Sequence, residues 1–344
     1  MTERYELRPL KVPEDYEGLA ALLNVFFSEP ISAERLKEDD ANLYEVGHTY
    51  MDDNGLLAGY DRTRYVVADD ELIVGYVWSW RAPWTEPGYL NNTVVVKKEY
   101  RGQGIGGQLL QHLVQWGEGL GATKLVAEIW DDDPAARLFA EHRGFSVDRH
   151  AFQSVLELET ANDRIINETE LFERLEAEGI RIRTFAEEGA TEENEAKIYQ
   201  VYLETLADIP GFMGEVPDRA EWSKWHLRVE GYAPERVLLA VDVKDDRYVA
   251  VSNIPYKEAT GGMYHEYTGV RREYRGRKIA QALKIRAVQL AKRHGAVYLK
   301  TDNDSLNGAI LKVNQNLGYV PLRGSYRIAG DLGQVKEAIA SRGK

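Results

Sequence analysis

Glu99-Tyr100-Arg101-Gly102-Gln103-Gly104-Ile105-Gly106-Gly107 is the stretch that decides the architecture, because it returns later in the chain. At an offset of 174 positions, from Arg101 to Arg275, the run Glu273-Tyr274-Arg275-Gly276-Arg277-Lys278-Ile279-Ala280 falls on it. Without a gap the same register sets Gly121-Ala122 on Gly295-Ala296 and Gly144-Phe145 on Gly318-Tyr319. Between these points Ile105 meets Ile279, Leu109 meets Leu283 and Leu125 meets Leu299. One register held through a loop, a helix and a strand marks an internal duplication.

Working outward, each copy opens alike. Tyr5-Glu6-Leu7-Arg8-Pro9-Leu10 and Ile180-Arg181-Ile182-Arg183-Thr184-Phe185 both read as a short strand before acidic, helix-forming sequence. The charged stretch from about Thr160 to Glu178 reads as a connector, so the expected division is 1–165, a connector at 166–178, and 179–344. In the first copy, strands are expected at 64–68, 72–78 and 89–96, with the β-branched Thr93-Val94-Val95-Val96 ending the third. Leu109, Leu110, Leu113, Val114 and Trp116 recur at helical spacing over about 106–119, and a strand follows at 124–130. Asp133 before Pro134 is an N-cap with proline at the first helical position, and Gly144 stops that helix. The second copy repeats the order: strands at 249–253 and 263–270, a helix at 279–294, a strand at 297–301 and a helix at 306–317. Strand, Gly-turn, helix and strand describe a crossover between neighbouring strands, so the fold class is α/β, each copy a mixed sheet flanked by helices.

Composition narrows the chemistry. With 344 residues, 44% hydrophobic and 29% charged, the chain has material for two ordinary globular cores. A formal net charge of −13 disfavours nucleic acid as a partner and favours cationic substrates. Cysteine is absent, which removes disulfides, thiolate metal sites and a cysteine nucleophile. No apolar run suggests a signal peptide or a membrane span, and a cytoplasmic address is the expectation. His142, His226 and His294 have no metal-ligand spacing, so no metal site is expected.

The glycines of 102–107 lie between a strand and a helix, where backbone N–H groups and the helix dipole favour an anion such as pyrophosphate. Gly102, Gly104 and Gly107 also spell the dinucleotide fingerprint G-x-G-x-x-G. That reading fails. The turn follows about a hundred residues of other sequence, Glu128 comes late for the ribose carboxylate, and the second copy does not keep the triplet.

What both copies keep is Arg-Gly-x-(Gly or Lys)-Ile-(Gly or Ala), a strand ending in valine five residues earlier, and Gly-(Phe or Tyr) some forty residues on. This pattern resembles the GNAT superfamily of acetyltransferases, in a tandem arrangement of two such domains. The resemblance implies that the backbone of Val94, Val95 and Val96 pairs with the pantetheine arm of acetyl-CoA. It implies further that Arg101, Gly102, Gln103, Gly104, Ile105, Gly106 and Gly107 hold the pyrophosphate. In the second copy the matching positions are Thr268, Val270, Arg275, Gly276, Lys278 and Ala280, with Asn307 at the start of the last helix. An amine would attack the thioester directly, assisted by oxyanion stabilisation and by a base.

Two departures from the family pattern matter. Where it often places Asn and then Tyr, the first copy has Asp133 and Ala140, and the second has Asn307 and Asn314. A thiolate leaves readily with a free pKa of about 8.5, so water suffices to protonate it. Glu266 stands where the family often carries a catalytic glutamate, whereas the first copy has Asn92 there. Lys278 replaces the middle glycine, and either adds charge for a phosphate or blocks its approach. Which copy is active is thus open at this level, with a lean to cofactor binding in the first. Asp208-Ile209-Pro210-Gly211, Trp222 and Trp225, and in the first copy Trp78, Trp80 and Trp84, fall where acceptor-lining or core aromatics are expected. The expected activity is acetyl transfer from acetyl-CoA to a small-molecule amine. The competing readings are a CoA-binding regulator without turnover and an enzyme acting on protein amino groups. The expected assembly is a monomer with an internal pseudo-dimer, or a homodimer.

Overall fold

The computed structural model describes residues 5–26, 31–161, 168–209 and 218–342, excepting the side chains of Trp225 and Arg342. The chain forms two compact units, residues 1–148 with 325–344, and residues 149–324.

In the first unit lie β1 (Glu6–Pro9), β2 (His48–Met51), β3 (Leu57–Asp69), β4 (Leu72–Arg81), β5 (Tyr89–Val96) and β6 (Lys124–Trp130). Strand order is β1-β3-β4-β5-β6, with β2 on β3; β5 and β6 are parallel and the other neighbours antiparallel. Helix Ile105–Leu120 makes the crossover that a parallel pair requires. Left-handed glycines bracket it, Gly104 at φ 89° and Gly121 at φ 77°. Its buried Leu109, Leu110, Leu113 and Val114 pack on Val67, Val74, Val77, Leu90 and Leu125.

The second unit holds β8 (Ile180–Thr184), β9 (Val237–Asp242), β10 (Arg247–Asn253), β11 (Tyr256–Lys257), β12 (Gly262–His265), β13 (Tyr267–Val270) and β14 (Tyr298–Asp304). The parallel pair is β12 with β14, spanned by helix Ile279–His294. Ala282, Leu283, Ala287 and Val288 of that helix are buried against Val249, Met263, Leu299 and Leu317. The expected single strand at 263–270 is interrupted at Glu266. β12 stays on β14, whereas β13 pairs with β10, and between them the Glu266 N–H is donated to the Asn253 carbonyl at 3.0 Å.

The division of the chain is not the one the repeat suggested near residue 170, because the last strand of each copy is spent in the other unit. β15 (Val320–Asp331) runs antiparallel to β6 from Ser325↔Trp130 to Asp331↔Lys124 and so belongs to the first unit. β7 (Phe145–Glu157) runs antiparallel to β14 from Ala151↔Asp304 to Glu157↔Tyr298, in the second. Ala151 and Ser325 are separated by the repeat offset of 174, and so are Trp130 and Asp304, which makes the two pairings one register used twice. Ile328 of β15, with Leu332 and Val335 of the helix Leu332–Arg342, completes the first unit's core. Of the expected connector, residues 170–177 are helical and 162–167 lie outside the described residues. Among the described residues no helix is long and apolar enough to cross a membrane.

Candidate active site

The parallel ladder of the first unit is short. It pairs Tyr89 with Lys124 through Asn92 with Ala127 and then stops, although β5 continues to Val96 and β6 to Trp130. Beyond Asn92 the two strands fork, and Thr93 to Val96 keep ladder partners only on β4. The second unit repeats this: the ladder ends at His265↔Thr301, β14 continues to Asp304, and Tyr267 to Val270 pair only with β10. An opening between parallel strands exposes backbone donors and acceptors along one edge, which is what an extended amide-bearing ligand requires. Val94, Val95 and Val96 lie on the first fork. Thr268 and Val270 lie on the second, the Thr268 hydroxyl 2.9 Å from Ser252 Oγ.

Each fork leads into its Gly-turn. In both, the arginine ties the turn to the strand end: Arg101 Nε donates to the Val96 carbonyl at 3.3 Å and Arg275 Nε to that of Val270 at 3.0 Å. Arg101 also pairs with Asp133 at 3.2 Å, and Arg275 with Asp208, whose carboxyl two arginines hold down at about 2. These guanidinium groups brace the turn. Gly102 and Gly104 are left-handed, and a Cβ on either, or on Gly107, would meet no protein atom within 4 Å, so the space over the turn is open. Gly106 is different, since its Cα faces the Phe139 ring. The Gln103 side chain accepts from Tyr5 and donates to the Glu99 carbonyl, which ties it to the protein, and the Ile105 side chain is core.

In the second turn Gly276 is likewise left-handed and open. Lys278 does not remodel it: it adopts φ 63°, ψ 23° as the residue preceding helix Ile279–His294, close to the backbone of Gly104. A side chain in that region costs about 1–2 kcal/mol. The exposed side chain thus starts at a helix N-terminus, and Ala280 follows two residues later within the first turn. Asn307 precedes helix Gly308–Leu317 without capping it by its side chain, whereas Asp133 caps its helix through the Ala136 N–H at 2.9 Å.

The forks differ most in the residue at their apex. Asn92 is buried and fully engaged: its Oδ1 accepts from Ser79 at 2.6 Å, and its Nδ2 donates to the carbonyls of Leu90 at 2.8 Å and Val126 at 3.0 Å. It clamps β5 to β6. Glu266, its counterpart, is half-buried, and its carboxylate makes no hydrogen bond or ion pair among the described residues. Burial, and then the charge of Asp302, raise its pKa above the ordinary carboxylate range, with Lys257 opposing. Asp302 lies on β14 just past the fork and accepts a hydrogen bond from the Tyr264 hydroxyl.

The tyrosine positions of the family pattern are closed in both units. Ala140 is buried, and Asn314 donates to Asn303 Oδ1 at 2.7 Å inside the fold. His265 faces away from Glu266 into the core, as alternation requires, with its Nε2 2.9 Å from the Tyr319 hydroxyl. Sequence reasoning missed its neighbour. Lys284 is 1% exposed, sits 5.3 Å from the Tyr319 ring and has its pKa pushed down to about 7 by burial. The available signal was the repeat itself, since Lys284 falls on Leu110. Trp222 is core, and Trp78, Trp80 and Trp84 line a cleft of the first unit. Pro210 and Gly211 lie outside the described residues. No group of three or more His, Asp or Glu side chains is placed to hold a metal ion among the described residues.

The sequence model of the Acetyltransferase (GNAT) family matches residues 22–145 and again 197–318. No curated protein matches the sequence. Among solved structures, a GCN5-related N-acetyltransferase from Sphaerobacter thermophilus is similar at 21% identity, over 96% of this chain and 97% of that one, with a TM-score of 0.63. A tandem GNAT protein from the clavulanic acid biosynthesis pathway is similar at 15% identity over 95% and 98%, with a TM-score of 0.57. A glucosamine N-acetyltransferase region of a fungal multi-domain β-N-acetylglucosaminidase is similar at 14% identity and a TM-score of 0.60, this chain covering 38% of its length. With a fork, an arginine-braced turn and a crossover helix in each unit, and a family match over both copies, the chain belongs to the acetyltransferase (GNAT) family as a tandem protein of two such folds.

Proposed function

We propose that the chain transfers an acetyl group from acetyl-CoA to the amine of a small molecule, and that the transfer takes place in the second unit. The observation that carries this reading is Glu266, an unpartnered carboxylate at the apex of a fork beside an anion-favouring turn. In the proposed complex, pantetheine lies along the free edge of Thr268 to Val270. The amides from Gly276 to Ala280, with the Lys278 ammonium, hold the pyrophosphate. Glu266 takes the proton of the attacking amine while a backbone N–H at the fork stabilises the oxyanion. The carbon–sulfur bond then breaks and the thiolate leaves toward solvent. Asn314, at the family's tyrosine position in this unit, has no acidic proton to give it, and the acidity of the thiol makes an enzymic acid dispensable.

The first unit is proposed to bind acetyl-CoA without turning it over. Its turn is open and all glycine where Lys278 stands in the second, but the Asn92 amide is spent on three hydrogen bonds and offers no base.

The test is acetyl-CoA turnover against an amine panel with the intact chain and Glu266→Gln. Turnover should fall by about 10²–10⁴-fold while acetyl-CoA affinity stays within twofold. The kcat/KM profile of the parent chain should rise with pH through a limb displaced above the ordinary carboxylate range, since the base acts ionised, and the variant should lack that limb. Full activity in Glu266→Gln would remove the second unit from the chemistry.

A further inference from the structure

The register that relates the two units also relates two clefts. Trp78 of β4 pairs with Thr93, and Asn253 of β10 pairs with Tyr267; Thr93 and Tyr267 are equivalent in the repeat. In the second unit the space beside Asn253 is small, about 240 Å³ to its open mouth, and is bounded by Tyr202, Trp222, His226 and Tyr267. In the first, the space beside Trp78 is about 620 Å³ and is walled by Tyr44, Trp78, Trp80 and Trp84, with Glu45 and Asp61 in the lining. Both lie away from the turn helix, Trp78 packing with the cluster of Leu19, Leu22 and Tyr76.

We propose that the cleft of the first unit binds a small organic cation, an ammonium or quaternary ammonium carrying one hydrogen-bond acceptor, and holds it without acylating it. Three observations carry this. The walls are electron-rich rings: Tyr44 meets Trp84 edge-on at 5.7 Å and Trp78 lies 5.9 Å from Trp80, with Trp84 52% and Tyr44 47% exposed. Indole and phenol faces attract cations, and large rings left half in water gain from a ligand that covers them.

Several donors in the lining are already turned to the protein. Arg62 donates to the Tyr44 carbonyl, and Asn42 Nδ2 to that of Glu38 at 3.0 Å. Arg81 donates to the carbonyls of Gly59, Thr85, Glu86 and Tyr89, each at 3.0 Å. The Glu45 and Asp61 carboxylates offset the charges of Arg62 and Arg81 in the lining, Glu45 lying 3.2 Å from His48 Nε2, so attraction for a cation rests on the rings.

One donor is unspent. Trp78 Nε1 is buried and without a partner among the described residues, a state that ordinarily costs about 1–3 kcal/mol and that an acceptor atom on a bound molecule would relieve. Asn92, one strand away and fully hydrogen-bonded, offers no base at the apex of this unit's fork, where transfer would take place. Binding at this cleft does not depend on where transfer takes place.

Choline is the probe, having both the cation and an acceptor oxygen, and 3,3-dimethylbutan-1-ol is its uncharged isostere. Both are titrated into the intact chain by calorimetry and tryptophan fluorescence. Choline should bind at least tenfold more tightly than the alcohol. Trp84→Ala, at an exposed position that leaves thermal unfolding unchanged, should weaken choline about tenfold without altering acetyl-CoA affinity. Trp78→Phe, which keeps a ring and removes the N–H, should weaken it by a smaller factor. Equal affinity for the alcohol, no binding of choline at millimolar concentration, or a Trp84→Ala variant that binds as the parent does would each overturn the proposal. Formation of acetylcholine by the Glu266→Gln chain would overturn its non-catalytic part.

Discussion

The two units share a backbone and differ in what they do with it. The forks open within one residue of each other in the repeat, after Asn92 in the first unit and after His265, the equivalent of Asn91, in the second, and both turns are braced by an arginine on the last valine carbonyl. Even Lys278 accepts a left-handed conformation rather than change the path that glycine takes in the first copy. At the apex, however, one unit has an amide engaged in three hydrogen bonds and the other a carboxylate engaged in none. Features made of backbone survive substitution because almost any residue supplies an N–H and a carbonyl. Features made of a single side chain are lost or gained in one step. Duplication therefore leaves two places of the same shape and lets their chemistry diverge.

The largest expected effect breaks the comparison at the level of folding. A chain ending at residue 165 keeps the first copy whole in sequence but lacks Ile328, Leu332 and Val335, each buried in the first unit's core. At about 2 kcal/mol for each buried side chain, the loss matches the stability of a typical domain. Residues 1–165 should fail to form a folded monomer, as judged by circular dichroism and gel filtration. Residues 1–148 joined through a short linker to 325–344 should fold. A stable 1–165 monomer would show that each copy is able to use its own last strand.

Next in size is cofactor binding. If the shared backbone is the cofactor site, calorimetry should count two acetyl-CoA per chain. Gly104→Glu and Lys278→Glu should each reduce the count to one, because either places a carboxylate against phosphate. Only Lys278→Glu should abolish turnover. A single site, lost with Gly104→Glu, would move acetyl-CoA to the first unit alone.

A third test uses the side chain that most distinguishes the two cores. Lys284 is held near 7 in the folded protein, against an ordinary value of 10.5, so between those values the unfolded chain carries the extra proton. Stability should therefore rise as pH increases from about 7 to 10.5 and be lowest below 7. Burial of His265 acts in the same direction at acid pH, since its pKa is also lowered. Lys284→Leu, which installs the residue of the first copy, should stabilise the chain by about 1–4 kcal/mol at pH 7 and flatten that rise. Denaturant melts across the pH range read it, and an unchanged slope would place the titration elsewhere.

The smallest effect is at Lys278. Lys278→Gly should gain about 1 kcal/mol from relief of the left-handed conformation while weakening acetyl-CoA severalfold through loss of the charge. A gain in both would mean that the ammonium only obstructs.

The repeat, the Gly-turns, the crossover helices and the family were legible in the sequence because each is local. Helix Ile279–His294 was delimited by repetition of the first copy's helix, and Glu266 was singled out by its place in the family pattern. Spacing of this kind is fixed by backbone geometry and needs no partner to be recognised. Which strand lies beside β6 is another matter. Alternating side chains tell a strand which face is buried, but the backbone edges of β6 and β14 offer the same donors and acceptors, and that edge does not by itself choose between β15 and β7. The bonds of Asn92 to Ser79 and Val126 and the packing of Lys284 on Tyr319 likewise depend on groups 13 to 35 residues away. The sequence by itself determined that the same device was built twice. Only the tertiary structure decided which strands complete each unit and which side chains remain free to act, because hydrogen bonds and burial are settled between segments that meet in space.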